Sequence, residues 1–513
     1  MARHTLRRTL TTAAVVLATL LGETVVSASG APPGGPVVVT SQGALRGARV
    51  GGVEEFLGVP YAAPPVGALR WRAPRAAAGW SGVRAATAFG PHCAQPGTAF
   101  GQASVSEDCL YLNVYAPARH GAGRLPVMVW IHGGALFIGE SDDFDPTALV
   151  RRGVVVVTVN YRLGALGFLA HPALAARPGG PSGNYGLMDQ QAALRWVRRD
   201  VGAFGGDARE VTVFGESAGG LSTLAQLASP GAHGLFARAL VESGSYGPTL
   251  PTLAAAETDG RAFATAAGCA DQTAACLRQL PVSTILAHEN TSLGYEPDID
   301  GQVLAQQPST AFATGRFNRV PVVDGTNHDE WRLFAAQIEL GGTTITAANY
   351  EGFIAGVLHV SSDVVAAIEA RYPLSAYPSP PIAFSALATD ALYACTALTL
   401  DNALARWVPT FAYEFNDENA PPPAQLPPVS FPYGAAHSTE LQYLFNLPGR
   451  LSAPQLRLAD TMQRYWTTFA ARGAPSWPPF NGTALVQSLV PAHPAPETTF
   501  ATTHQCAFWT TVA

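Results

Sequence analysis

The pentapeptide Gly215-Glu216-Ser217-Ala218-Gly219 constrains this chain more than any other stretch. The apolar residues Val211, Val213 and Phe214 precede it, and a run with helical patterning, Ala218 to Leu227, follows. A serine on a tight strand-to-helix turn has its hydroxyl raised above the end of a sheet. Glycines on either side let neighbouring backbone pass close by. In isolation the same five residues are an ordinary glycine turn with an incidental serine; between a strand and a helix they read as a presented nucleophile.

The rest of the chain supplies a sheet for that turn. Val127 to His132 is apolar and runs into glycines, and Val154 to Asn160 is nearly pure valine, as a strand buried on both faces requires. Ala237 to Val241, Val320 to Asp324 and Thr410 to Phe415 are further buried-strand candidates. Gly186 to Arg199 has helical spacing, and Leu456 to Ala471 reads as a late helix closed by Gly473 and Pro475. Ala420 to Pro428 is a proline-rich loop. This alternation predicts an α/β class, a mostly parallel central sheet wrapped by helices. No internal repeat or clear linker is visible. Residues 31–513 are therefore read as one domain with a helical insertion over roughly 251–405, broken by the strand near Val320.

Composition narrows the chemistry. With 48% hydrophobic and only 13% charged residues, a 513-residue chain can bury a large core. A net charge of -6 with no concentrated basic patch argues against nucleic acid as a partner. All the basic residues are arginine, which excludes a Schiff-base lysine, a pyridoxal-phosphate anchor and a P-loop lysine. The N-terminus carries Arg3, Arg7 and Arg8, then an apolar run from Leu10 to Leu21 and small residues around Ala28. This pattern predicts a signal peptide over residues 1–30 and a secreted, extracellular product; the Arg7-Arg8 pair also admits twin-arginine export. The run is too short to span a bilayer, and no later segment is long and apolar enough for a membrane span. Export makes the six cysteines candidates for disulfides. They lie at Cys93 and Cys109, Cys269 and Cys276, and Cys395 and Cys506. Spacing makes short bridges plausible for the first four but does not choose among the 15 possible pairings. A metal site is the poorer reading, because no CxxC or HxxxH spacing occurs.

A presented serine needs a base, an acid and donors for the developing oxyanion. His132-Gly133-Gly134-Ala135 directly follows the Val127 strand, where small residues leave backbone N–H groups free; Gly134, Ala135 and Ala218 are the expected donors. Among 12 histidines, His437 sits in the loop Gly434-Ala435-Ala436-His437-Ser438-Thr439-Glu440, placed to reach over the sheet. Asp329 and Glu330 follow the Val320 strand, giving the order serine, acid, histidine. Residue type alone does not separate these two acids.

With these motifs in view, the chain resembles the type-B carboxylesterase/lipase family of α/β-hydrolases, which also holds cholinesterases, bile-salt lipases and bacterial nitrobenzyl-type esterases. The likeness spans roughly Val37 to Trp509. It rests on Phe214-Gly215-Glu216-Ser217-Ala218-Gly219-Gly220 and on Glu107-Asp108-Cys109-Leu110-Tyr111-Leu112-Asn113-Val114. Pro64-Pro65-Val66-Gly67, Asn160-Tyr161-Arg162-Leu163-Gly164, Gly183 to Gln190 and His504 to Trp509 are similar as well. The resemblance implies Glu330 as the acid and His437 as the base. It also implies bridges Cys93–Cys109, Cys269–Cys276 and Cys395–Cys506, and structural ion pairs Arg70–Glu107 and Arg162–Asp189. Glu216 is expected to shape the hydrogen bonding around the serine.

The family pattern implies cleavage of carboxylic esters through an acyl-enzyme, with a small-molecule or lipid ester as partner and no metal or organic cofactor. A lipase or sterol esterase acting on long chains is the rival enzyme, and a non-catalytic binding module on the same fold is the rival from another class. Three departures stand out. The Cys93–Cys109 loop has no tryptophan to hold a quaternary ammonium, which disfavours choline esters. Leu136 stands where an aromatic is common, and Trp331 where glycine is common.

Overall fold

Strands buried on both faces need apolar layers above and below, and this chain provides both around one large sheet. The computed structural model describes residues 34–119, 121, 123–177, 179–246, 249–289, 295–482 and 485–512; the leader predicted over 1–30 lies outside them. In chain order the strands are β1 (Val37–Thr40), β2 (Gly43–Arg46), β3 (Ala48–Val50), β4 (Val53–Pro60), β5 (Val83–Ala85), β6 (Tyr111–Pro117) and β7 (Leu125–Ile131). They continue as β8 (Val155–Val159), β9 (Gly206–Glu216), β10 (Arg238–Glu242), β11 (Val322–Asn327), β12 (Thr410–Phe415), β13 (Val486–Leu489) and β14 (Ala495–Glu497). A small sheet has the order β1-β2-β5, and an 11-stranded sheet the order β14-β13-β12-β11-β10-β9-β7-β8-β6-β4-β3. Its middle strands, from β13 across to β8, are parallel, and antiparallel strands close both edges.

Side-chain alternation sorts the core. Val127, Val129 and Ile131 of β7 join one apolar cluster with helices Tyr185–Asp200 and Ala218–Ala228. Met128 and Trp130 point the other way, into a cluster with Leu458, Met462 and Trp466 of helix Ala453–Arg472. A two-residue period therefore feeds two layers. That late helix is well bounded: Ser452 and Gln455 form a capping box, and Gly473 ends it with φ 74°.

The elements read from the sequence lie within a few residues of their predicted positions. The strand predicted from Val320 starts at Val322, because Pro321 has no N–H for the ladder. Helices fill the stretch from Leu253 to Leu404 on either side of β11. The stretch Pro380–Leu404 is, among the described residues, the one helical run long and apolar enough to cross a membrane. Its Ile382, Ala383, Phe384, Leu387 and Ala388 are packed inside the protein, which makes it a core element. The three disulfides pair Cys93–Cys109, Cys269–Cys276 and Cys395–Cys506. Arg162 grips buried Asp189 with two 2.7 Å hydrogen bonds, and Arg70 bonds Glu107 at 2.6 Å.

The chain runs from β7 outward to β8, then returns to β9 on the other flank of β7. This reversal opens a crevice beyond the carboxyl ends of β7 and β9, where ligands bind in sheets of this kind.

Candidate active site

The glycine loop and the serine turn meet at that crevice because their strands are neighbours, with Ile131 opposite Gly215. Ser217 adopts φ 56° and ψ −124°, a conformation costly for a residue with a Cβ. Its N–H is tied to the Glu242 carbonyl at 2.8 Å, and its own carbonyl accepts from Leu221 at 2.9 Å. The glycine after the turn is a packing requirement: a Cβ on Gly219 would stand 1.9 Å from the Ile131 carbonyl oxygen. A larger residue there would push the helix off β7.

Beside it, Gly134 (φ 97°) and Ala135 (φ 56°) turn the chain back after His132. Among the described residues, the backbone N–H groups of Gly134, Ala135 and Ala218 donate to no acceptor within the protein. Gly133 packs so closely on the turn that a Cβ there would lie 3.1 Å from the Ser217 Cβ. His132 anchors the loop through its Nδ1, 2.9 Å from the Gly133 carbonyl, and Tyr161 stacks on its ring at 4.5 Å. Burial pushes His132 down to about 4, so it is neutral at physiological pH.

The two acids after β11 part company. Asp329 pairs with Arg332 at 2.9 Å and accepts from the Ala435 N–H, which leaves it a role in holding the loop. Glu330 turns back toward β11: one oxygen accepts from Thr326 Oγ1 and the Asn327 N–H, both at 2.8 Å. Its other oxygen lies 2.5 Å from His437 Nδ1, and the His437 N–H bonds the Glu330 carbonyl at 3.3 Å. Glu330 is fully buried and His437 3% exposed. The far nitrogen of His437, Nε2, has no hydrogen-bond partner among the described residues and lies 3.1 Å from Glu216 Oε1. Glu216 is also held by the Ser438 hydroxyl at 2.6 Å. The structure thus brings Glu330, His437 and Glu216 into contact, with Ser217 next along the chain from Glu216.

The fold matches a known sequence family as well. The profile described as "Carboxylesterase family" matches residues 34–509. This chain belongs to the carboxylesterase family. Its relatives include a fumonisin B1 esterase of Sphingopyxis macrogoltabida, 36% identical over 86% of this chain and 84% of that protein. A para-nitrobenzyl esterase of Bacillus subtilis is 35% identical over 87% and 92%, and a human cocaine esterase 32% over 93% and 91%. The protein is a carboxylic ester hydrolase of α/β-hydrolase fold.

Electrostatics in this carboxylesterase favour a charged imidazole. Burial alone would lower the His437 pKa, but the carboxylates of Glu216 and then Glu330 outweigh it and raise it above 6.5. Burial in turn raises Glu216, with neighbouring His437 opposing.

The wall around the imidazole had no signal in the sequence. Phe334 lies 5.2 Å and Tyr393 5.5 Å from His437, ring centre to ring centre, and Tyr246 packs on Tyr393 at 5.4 Å. Phe334 follows Glu330 by one helical turn, a spacing that a search from the acid could have used. Tyr246 and Tyr393 come from segments with no motif.

A separate cluster joins half-buried His328 with buried Glu414 and His504, residue types that can ligate a metal. His504 already gives both nitrogens to carboxylates, Asp390 at 2.6 Å and Glu414 at 2.7 Å. Burial opposes its charge, yet these two bonds raise its pKa to about 10. It is an imidazolium clamp between the C-terminal segment, the π-turn Asp390–Ala394 and β12, and no lone pair remains for a cation.

Proposed function

We propose that Ser217 is the nucleophile, His437 the general base and Glu330 its orienting acid in two-step hydrolysis of small-molecule carboxylic esters. The observation that carries this is the 2.5 Å contact of Glu330 with His437 Nδ1, which turns Nε2 toward Glu216 and the strained serine turn. The Nδ1–H donates to Glu330, so Nε2 is the site that takes a proton. His437 accepts the Ser217 hydroxyl proton as Oγ bonds to the ester carbonyl carbon. Glu330 stabilises the imidazolium that results. The carbonyl oxygen, now an alkoxide, accepts from the N–H groups of Gly134, Ala135 and Ala218. Collapse of this intermediate breaks the bond to the alcohol oxygen, which receives the proton from His437. Water then repeats the sequence on the acyl-enzyme, with His437 as base, and frees the acid.

Glu216 shares in stabilising the imidazolium through Nε2 and is held in register by Ser438. The aromatic wall of Phe334, Tyr393 and Tyr246 offers apolar contact to a substrate group beside the imidazole. We also propose that residues 1–30 form a signal peptide and that the mature protein is extracellular, a reading the three disulfides support.

Ser217→Ala tests the central assignment. Turnover of p-nitrophenyl butanoate is expected to fall by roughly 10⁴-fold or more, with the melting temperature unchanged. Hydrolysis at the parent rate in a folded variant refutes it.

A further inference from the structure

The proposed base sits in a loop that no strand or helix holds. Gly434 and Ser438, at its two ends, have φ 64° and 66°, and the short 3₁₀ helix Thr439–Tyr443 begins only after His437. Thr439 closes the loop on itself: its N–H and its hydroxyl both donate to the Ala436 carbonyl, at 3.1 and 2.7 Å. Upstream, Asp329 and Ala435 exchange two bonds of 3.0 Å. A turn closed on itself and tied at its start can still rock, so the direction of the imidazole needs a further fixed point.

Asn327, the last residue of β11 and fully buried, supplies it. Its Nδ2 donates one hydrogen to the Ala436 carbonyl at 2.8 Å and the other to Glu440 Oε2. A single amide nitrogen thus grips the chain on both sides of His437. The Asn327 backbone N–H donates to Glu330 Oε1 at 2.8 Å, and Glu330 Oε2 meets His437 Nδ1 at 2.5 Å. These contacts close a ring from Asn327 through Glu330, His437 and Ala436 back to Asn327. Acid and base are both referred to one residue of the sheet, the rigid part of the molecule. Exchanging the amide oxygen and nitrogen would set an oxygen against two acceptors, so the side chain has one workable orientation. Asn327 Oδ1 is buried with no hydrogen-bond partner among the described residues. Burying that oxygen costs free energy, which is out of place in a residue that only fills space.

From this we infer that Asn327 is a positioning residue for ester hydrolysis. Its side-chain amide sets the direction of the His437 imidazole by holding the loop at Ala436 and Glu440, while its backbone N–H sets the Glu330 carboxylate. The inference rests on the proposed triad, through which Asn327 acts. A misplacement of about 1 Å costs on the order of 10² in rate. Removing both side-chain donors is therefore expected to lower kcat by roughly 10- to 100-fold. KM should stay within about threefold, because the base adds little to binding of the ground state.

Asn327→Leu tests this, since it keeps the branching and the backbone bond to Glu330 and loses both side-chain donors. Titration with a p-nitrophenyl alkylphosphonate counts active sites, so that misfolded protein does not enter kcat. The proton between His437 Nδ1 and Glu330 is followed as a downfield proton NMR signal that His437→Gln lacks. It should shift or broaden in Asn327→Leu, a change that lower fold stability alone does not produce. A kcat per site within about threefold of the parent overturns the proposal. So does a signal identical to the parent's, or a loss carried by KM. Asn327→Asp has the same shape but at most one hydrogen for two acceptors; it should show the same losses and decides the matter if the leucine variant does not fold. Failure of the underlying triad shows separately, as turnover that persists in Ser217→Ala or His437→Gln.

Discussion

Gly134→Ala isolates the contribution of the loop after β7. A Cβ at position 134 would stand 2.1 Å from the Ile138 carbonyl oxygen, against about 3.4 Å for ordinary contact, and φ 97° is itself unfavourable for alanine. The difference, about 1.3 Å, must be absorbed by the turn that points the N–H groups of Gly134 and Ala135 at the crevice. Loss of one such donor costs on the order of 2.7–4 kcal/mol in the transition state, or roughly 10²–10³ in kcat. The ground-state carbonyl gains little from these donors, so KM should change by less than about threefold. The assay is steady-state hydrolysis of p-nitrophenyl butanoate alongside thermal unfolding, to separate misplacement of the turn from loss of the fold. A kcat within about threefold of the parent in a folded variant would refute the assignment of these N–H groups as oxyanion donors.

Other consequences follow from the electrostatics. His437 must be neutral to act as base, so kcat/KM should rise with pH through its raised pKa; Glu216→Gln removes a charge that raises it, and the acid limb should move to lower pH. An unmoved limb, or one shifted to higher pH, contradicts the role given to Glu216. His504 is held at about 10 against an ordinary 6.5, so its charge contributes about 5 kcal/mol of stability well below pH 6.5. Because the folded-state pKa is the higher one, that stability is lost as pH rises through about 10. Nitrogen-15 NMR of labelled histidine, assigned with His504→Gln, should show the ring still protonated at pH 8; a neutral ring there sinks the clamp.

The sheet and the serine turn were legible because they depend on local pattern: valine runs for buried strands, and glycines where backbone passes at contact distance, as at Gly219. The acid was not legible from residue type. Asp329 and Glu330 are adjacent and chemically alike, and only the helical turn after β11 swings Glu330 to Thr326 and His437 while Asp329 meets Arg332. The aromatic wall gathers segments far apart in sequence, and no spacing within any one of them marks the convergence. The strands before Val127 and after Phe415 were not read from the sequence: β13 and β14 have only three or four residues to alternate, while the longer β4 and β6 lack the valine runs that marked the central strands.

Covalent labelling tests the central claim most directly. A p-nitrophenyl alkylphosphonate transfers its phosphonyl group only to an activated nucleophile, and the adduct stays in place for peptide mapping by mass spectrometry. The account predicts one adduct per chain, on Ser217, loss of ester turnover in step with labelling, and labelling slowed by roughly 10²–10⁴-fold in His437→Gln. An adduct on another residue, or full turnover from protein fully labelled at Ser217, would contradict it.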